Sequence, residues 1–319
     1  MAAQAAKIVV VGGTYVDMAV KCQHIPFAGQ TVPGSALSYA ITGPGPMESV
    51  QAALCGCEVH LISKLGGDCF GEMVKKSLAD YKVNTAYVYV AEAKNTGVTV
   101  TLVNSKGENG VLTCCGANSA LMPQDIAAAE RIIAESDVCL IHGHLPPEAI
   151  IEAIRTAKLY AKKVILNPAR PIGQAGHQPA DLPIDYFNAD ILIPNLYEAA
   201  EIADHAGAHV RAAKLIGSEL VTRGAGCAVI TMGKKGCVVI DRDSADHVPA
   251  FEVELVDQTG RGDAFAGALA AFYAARDNIR DAVKFASAAG ALACTKFGTL
   301  ESLPTKAEII ELLQKEEPE

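Results

Sequence analysis

Short β-branched runs ending in glycine or a polar residue recur along this chain, and segments of helical length separate them. The first, Lys7 to Gly13 (K-I-V-V-V-G-G), shows no apolar–polar alternation. Both its faces are therefore expected to be buried, as in a parallel sheet. Similar runs follow at Glu58 to Lys64, Val138 to His142, Lys163 to Asn167, Ile191 to Asn195 and Cys227 to Met232. Helix-length segments lie at Met47 to Cys55, Gly71 to Tyr81, Gln124 to Glu135, Pro147 to Ala161, Tyr197 to Ala206 and Val210 to Thr222. Strand and helix in alternation predict βαβ units and a doubly wound α/β sheet, with ligands at the carboxyl ends of the strands. Polar and glycine residues gather at those ends: Gly12, Gly13 and Asp17; Lys64, Gly66 and Asp68; His142 and His144; Asn167; Asn195; Thr231 and Gly233.

Two regions break the rhythm, from about residue 14 to 40 and from 96 to 115. They alternate in the manner of exposed strands, as in Gly97-Val98-Thr99-Val100-Thr101-Leu102-Val103. So few strands do not fold alone, and a small sheet covering the main one is expected. The 319 residues suit one large domain with such an appendage. No apolar run approaches the roughly 20 residues of a membrane span, and Met1 to Ala6 lacks the pattern of a secretory signal. A net charge of −9 argues against a nucleic-acid-binding surface and against anionic membranes. The ten cysteines include no C-x-x-C, and most sit in apolar patterns, which fits a reduced, cytoplasmic protein without cysteine-bound metal.

The stretch Asp257-Gln258-Thr259-Gly260-Arg261-Gly262-Asp263-Ala264-Phe265 says most about chemistry. Phe251 to Val256 before it reads as a strand, and the Ala-rich run Ala264 to Ala275 after it as a helix. A glycine turn at that junction leaves unpaired N–H groups at the positive end of the helix dipole, where an anion is stabilised. An aspartate in the first turn is placed to take a proton from an attacking hydroxyl. Together these are the requirements of phosphoryl transfer to an alcohol. Glycine and aspartate at such a turn also read as an ordinary helix cap.

The wider phrase D-x-T-G-x-G-D-A-F resembles the signature of the ribokinase-like carbohydrate kinases, the PfkB family. The resemblance implies a ribokinase-like α/β fold with a β lid, Asp263 as catalytic base, and the backbone of Gly260, Arg261 and Gly262 as anion hole. The family usually has a small residue where this chain has Arg261. The likeness runs nearly end to end. Gly116-Ala117-Asn118-Ser119-Ala120-Leu121 is similar to the family's segment after the lid, and Asn167-Pro168-Ala169 to its Asn-Pro-Ala turn. Asn195 and Glu198 match its Asn-x-x-Glu motif, which organises water around the Mg²⁺ of ATP; Mg²⁺ needs few protein ligands. The same pair also reads as a capping box. Thr231, Gly233 and Gly236 resemble the Thr-x-Gly-x-x-Gly nucleotide loop, and Ala286 to Gly298 the wall of the adenine pocket. In many relatives the loop Thr295 to Gly298 helps hold a monovalent cation such as K⁺, with the residues matched by Asp257 and Thr259. Ordinary loop oxygens without an ion are the alternative.

The sugar side departs from the family. Where ribokinases carry Gly-Gly-Lys-Gly-Ala-Asn-Gln-Ala, this chain reads Thr42-Gly43-Pro44-Gly45-Pro46-Met47-Glu48-Ser49. Gly43 and Gly45 survive, the Gly-Pro pairs are expected to stiffen the loop, and Met47 replaces a sugar-binding amide by apolar contact. His144 stands where ribokinase has a substrate-facing glutamate, although a strand-end histidine without ligand also fits. Asp17 remains where the family grips sugar hydroxyls.

The resemblance thus implies an ATP- and Mg²⁺-dependent kinase for a small polyhydroxylated substrate, a carbohydrate or sugar acid, with ribose disfavoured. Lid edges pairing with a second copy would give a homodimer. A nucleoside kinase and a catalytically weakened sugar- or nucleotide-binding relative are the competing readings.

Overall fold

Val9 and Val11 pack into one apolar cluster and Ile8 and Val10 into another, so the first strand is buried on both faces. The computed structural model describes residues 5–169, 182–205 and 209–315. Its first half runs β1 (Lys7–Val11), β2 (Tyr15–Cys22), β3 (Gly34–Thr42), α1 (Pro44–Leu54), β4 (Glu58–Gly66), α2 (Cys69–Asp80), β5 (Asn84–Ala91), β6 (Gly97–Val103) and β7 (Asn109–Cys114). The second half runs α3 (Pro123–Ala128), α4 (Glu130–Glu135), β8 (Val138–His142), α5 (Pro147–Leu159), β9 (Lys163–Asn167), β10 (Ile191–Leu192), α6 (Leu196–Ile202), α7 (Val210–Thr222), β11 (Cys227–Thr231), β12 (Cys237–Ile240), β13 (Ala245–Val248), α8 (Arg261–Arg276), α9 (Ile279–Ala293) and α10 (Lys306–Lys315).

Nine strands form the main sheet in the order β13-β12-β11-β10-β9-β8-β1-β4-β5. All neighbours are parallel except β11–β12 and β12–β13. The chain leaves β1 toward β4 and β5, then returns to β1's other side at β8. Strand order therefore reverses between β1 and β8, and a crevice opens at their carboxyl ends. Helices α1, α8 and α9 cover the face holding Ile8 and Val10, while α3 to α7 cover the other. The fold is thus α/β, mostly parallel and doubly wound. No helix among the described residues is long and apolar enough to cross a membrane.

A separate four-stranded sheet, β3-β2-β6-β7, comes from the two stretches that broke the rhythm. β2 pairs parallel with β6, and the outer pairs are antiparallel. Asn118, fully enclosed, ties the root of this sheet to the main domain by accepting the Thr14 N–H and donating to the Thr14 carbonyl, each at 2.8 Å.

Several boundaries differ from the sequence reading. Phe251 to Val256 is not a strand: the N–H groups of Val256 and Asp257 both go to the Cys294 carbonyl, so no ladder forms. Strand β10 stops at Leu192 because Pro194, two residues on, has no N–H to continue a ladder. The Gly-Pro pairs belong to a helix, since Pro44 opens α1 at the position where a fixed φ and a missing donor cost nothing. The helix expected over 124–135 breaks at Ala129 into α3 and α4. The last residue of the helix expected over 197–206 lies outside the described residues.

Candidate active site

Helix α8 begins at the switch-point crevice. Its cap, Gly260, has φ +72°, and a Cβ there would lie 2.2 Å from Cε of Met47. Only glycine meets both conditions. Asp257 shapes the approach by accepting the N–H and hydroxyl of Thr259 at 3.0 and 2.8 Å. Among the described residues the N–H groups of Gly262 and Asp263 have no acceptor, so the turn presents bare donors at the helix's positive end. Met47 has no exposed surface and supports this turn from beneath, so it shapes the pocket without lining open space.

Asp263 follows at once. Burial raises its carboxyl to a pKa of about 7, the range in which a general base is most effective. Sequence reasoning passed over the residue behind it, Glu48 on α1. Glu48 is fully buried, and neither of its carboxyl oxygens has a hydrogen-bond partner. Burial first, and then the charge of Asp263, push its pKa well up. His142, at the end of β8, completes a cluster in which one donor atom from each of Glu48, His142 and Asp263 lies within 4.8 Å of the others. His144 packs on His142 with ring centroids 4.6 Å apart. Burial lowers the pKa of both histidines, and the neighbouring His144 lowers that of His142 further. Both rings are therefore neutral. A carboxylic acid in the otherwise uncharged run Pro44 to Ala53 was the available signal for Glu48.

The small sheet contributes Asp17 from β2. One of its oxygens accepts the hydroxyls of Thr99 and Thr101 on the neighbouring β6, at 2.5 and 2.8 Å. This answers the demand of a half-buried carboxylate for partners and fixes its orientation. The period of two along β6 puts both threonines on Asp17's face. At the base of the sheet, a Cβ on Gly45 would sit 2.7 Å from the Gly12 carbonyl oxygen, so α1 starts directly against the end of β1. Gly43 precedes it with φ +97°.

On the other side of the anion turn lies a cavity of about 1000 Å³, lined by Asn195, Glu198, Thr231, Gly233, Gly236 and Arg261, among others. Asp17, Glu48, His142, His144 and Asp263 are not among its walls. Asn195 and Glu198 do form a capping box. Asn195 Oδ1 accepts the N–H groups of Tyr197 and Glu198, and Glu198 Oε2 accepts that of Asn195 at 2.8 Å. Both side chains nonetheless face the cavity, and burial raises the Glu198 pKa. Their hard oxygen atoms suit a hydrated Mg²⁺. Arg261 crosses the cavity floor: its guanidinium nitrogens lie 3.5 and 3.7 Å from where a Cβ on Gly233 would be. Among the described residues its guanidinium donates to Gln258 Oε1 at 3.5 Å, a weak contact that leaves most of its donors available.

Not every strand-end polar group joins the site. Lys64 is bound by both oxygens of Asp125 at 2.9 and 2.7 Å, and Asp68 caps α2 while accepting from Thr96.

Known proteins resemble this chain over nearly its whole length. A model of the pfkB family of carbohydrate kinases matches residues 5–306. A deoxyribokinase of Salmonella typhi is 30% identical over 314 residues, covering 97% of this chain and 99% of that protein. A mouse ribokinase is 30% identical over 311 residues, covering 96% and 94% respectively. The structure of Arabidopsis thaliana ribokinase complexed with ribose and ATP superposes with a TM-score of 0.89, at 23% identity, over 98% of this chain and 99% of that one.

Proposed function

The chain belongs to the pfkB family of carbohydrate kinases and is an ATP-dependent sugar kinase, and on that premise we propose that Asp263 is its catalytic base and that its substrate is a small polyol other than ribose. The observation that carries the reading is Asp263 itself, a carboxyl with a pKa raised to about 7, directly after the unpaired N–H groups of the Gly260 turn. In its charged form it takes the proton of the acceptor hydroxyl, while the bare N–H groups receive charge developing on the transferred phosphoryl group.

The two substrates take opposite sides of the anion turn. ATP fits the cavity of about 1000 Å³, its adenine end toward the loop at 295–298 and its phosphates toward Arg261 and the α8 N-terminus. Asn195 and Glu198 would hold Mg²⁺ through its water shell, and the ion would supply neutralisation of phosphate charge. Asp257, Thr259 and the backbone near Gly298 offer oxygens of the kind that hold K⁺. The sugar lies beneath the small sheet, with Asp17 gripping hydroxyls and His144 beside the acceptor. That sheet's exposed edges pair with a second copy in a homodimer, and the protein works in the cytoplasm.

The names of the relatives bring ribose and deoxyribose into the field. The sugar side of this chain argues for a different acceptor, because an amide has become Met47 and a carboxylate has become His144. The deciding experiment is an ATP-consumption screen over sugars, deoxy sugars, sugar acids, sugar phosphates and nucleosides, with Asp263→Asn as control. Turnover of one acceptor that the control abolishes supports the proposal. A control that keeps wild-type turnover removes Asp263 from the role.

A further inference from the structure

Glu48 is the only group among the described residues that meets the catalytic aspartate as a second, fully buried carboxyl with no partner of its own. Two carboxylates brought together where one of them is fully buried do not both readily stay ionised, because desolvation and like-charge repulsion add. The titratable groups facing Glu48 are Asp263 from α8 and His142 from β8, with His144 packed behind His142. No lysine or arginine forms an ion pair with Glu48 or Asp263 among the described residues. Something else must hold the pair together.

A metal ion is the obvious alternative, and the histidine argues against it. His142 Nδ1 accepts the His144 backbone N–H at 3.3 Å, so the neutral ring carries its hydrogen on Nε2 and has no free lone pair. A ring in that state is a donor. The helices are also fixed against each other at this level: a Cβ on Gly267 of α8 would meet the Glu48 carbonyl oxygen at 2.5 Å. The carboxyl of Glu48 is thereby held next to Asp263 and has nowhere else to go.

We propose that Glu48 is a positioning residue for the base: it stays a neutral carboxylic acid beside Asp263, so that the pair carries a single negative charge on Asp263, and it backs that carboxylate where it faces the acceptor hydroxyl. The glutamine that stands opposite Glu48 in the Gly-Gly-Lys-Gly-Ala-Asn-Gln-Ala stretch of ribokinases is neutral at every pH, whereas Glu48 is neutral only while it keeps its proton. When that proton leaves, a second negative charge appears behind the base, and transfer slows. Burial as the first cause and Asp263 as the second both favour the protonated form. The sign for stability follows. A carboxyl whose pKa is raised by folding contributes stability that is fully present below the unfolded carboxyl range and is lost as pH rises through its folded value.

The inference rests on Asp263 being the base, and the test separates the two. The variants Glu48→Gln and Glu48→Ala are compared with wild type in kcat/KM from pH 5 to 10 and in melting temperature over the same range. Wild type is expected to lose activity at alkaline pH, and Glu48→Gln to lose that alkaline fall while keeping at least about tenfold more neutral-pH turnover than Glu48→Ala. Its melting temperature should also fall less with rising pH than that of wild type. Identical alkaline limbs and parallel melting curves in wild type and Glu48→Gln would overturn the proposal, since a space-filling role moves neither. If neither variant folds, infrared spectra of the unaltered protein decide: a protonated-carboxyl C=O band that persists well above pH 7, where Asp263 is charged, and vanishes on unfolding supports it, and its absence refutes it. Turnover that survives in Asp263→Asn would unseat the base itself, while the infrared band would still report on Glu48.

Discussion

The thioether methyl of Met47 lies where a side chain on Gly260 would begin, 2.2 Å from the ideal Cβ position. This contact locks the first helix of the sugar side to the turn that receives the phosphoryl group. Gly260→Ala must therefore displace Met47 and also hold alanine at φ +72°. A loss of about 1–3 kcal/mol in stability is expected, with a larger proportional loss of kcat because the N–H donors tilt away. Urea unfolding and steady-state kinetics on the same preparation measure both. Wild-type kcat in a correctly folded variant would show that the turn tolerates movement.

Replacing Asp263 by Asn should remove turnover while nucleotide affinity stays nearly constant, because the amide keeps the shape but does not accept the proton. The wild-type profile carries its own check. With a pKa raised to about 7, the base is charged above that pH, so kcat/KM should fall roughly tenfold per unit as pH drops below it. An acidic limb nearer pH 4 would mean that water or a substrate group relieves the burial of Asp263.

How much of this was legible in advance depended on the range of the interactions. The strands β8 and β9 and the helix α7 have the expected bounds, because their signals are local: continuous apolar runs and amphipathic spacing. Phe251 to Val256 has the composition of a strand but no neighbouring strand to pair with, and pairing is not a local property. Asp263 stood out through the glycines beside it. Glu48 did not, since only the packing of α1 on α8 brings it to Asp263, 215 residues away by the numbering of the two residues. Thr99 and Thr101 were visible as alternating strand residues, yet their bond to Asp17 depends on the parallel pairing of β2 with β6.

Those two threonines supply the next test. Changing both Thr99 and Thr101 to Val removes two donors from one Asp17 oxygen and leaves the strand intact, since valine suits a strand. At about 1–3 kcal/mol for each hydrogen bond to a charged group, KM for the sugar should rise at least tenfold, with KM for ATP unchanged. Equal rises in both constants would point to general disruption of the small sheet.

Arg261 reaches from the anion turn to Gly233 with most of its donors available. Arg261→Ala should fold as wild type and show a raised KM for ATP, with the difference between the two proteins shrinking as salt increases. Arg261→Lys should recover part of the effect, since it restores charge without the planar fork. Identical kinetics for wild type and Arg261→Ala at low and high salt would make the guanidinium a surface group.

The sharpest consequence concerns the acceptor. The enzyme should prefer another small polyol, sugar acid or sugar phosphate to D-ribose by at least about a hundredfold in kcat/KM. Met47 has no exposed surface and offers no amide, and His144 is a neutral ring where a carboxylate would bond a hydroxyl. Each lost hydrogen bond to a buried hydroxyl costs on the order of 1–3 kcal/mol, and two of them account for the factor. Asp17 keeps its grip whatever the acceptor, so Asp17→Ala should weaken the true substrate strongly. A competition assay with D-ribose against the best acceptor from the screen reads the ratio directly. Ribose emerging as the best substrate would sink the claim, and it would place the missing contacts on the small sheet, where Asp17 and its two threonines are already fixed.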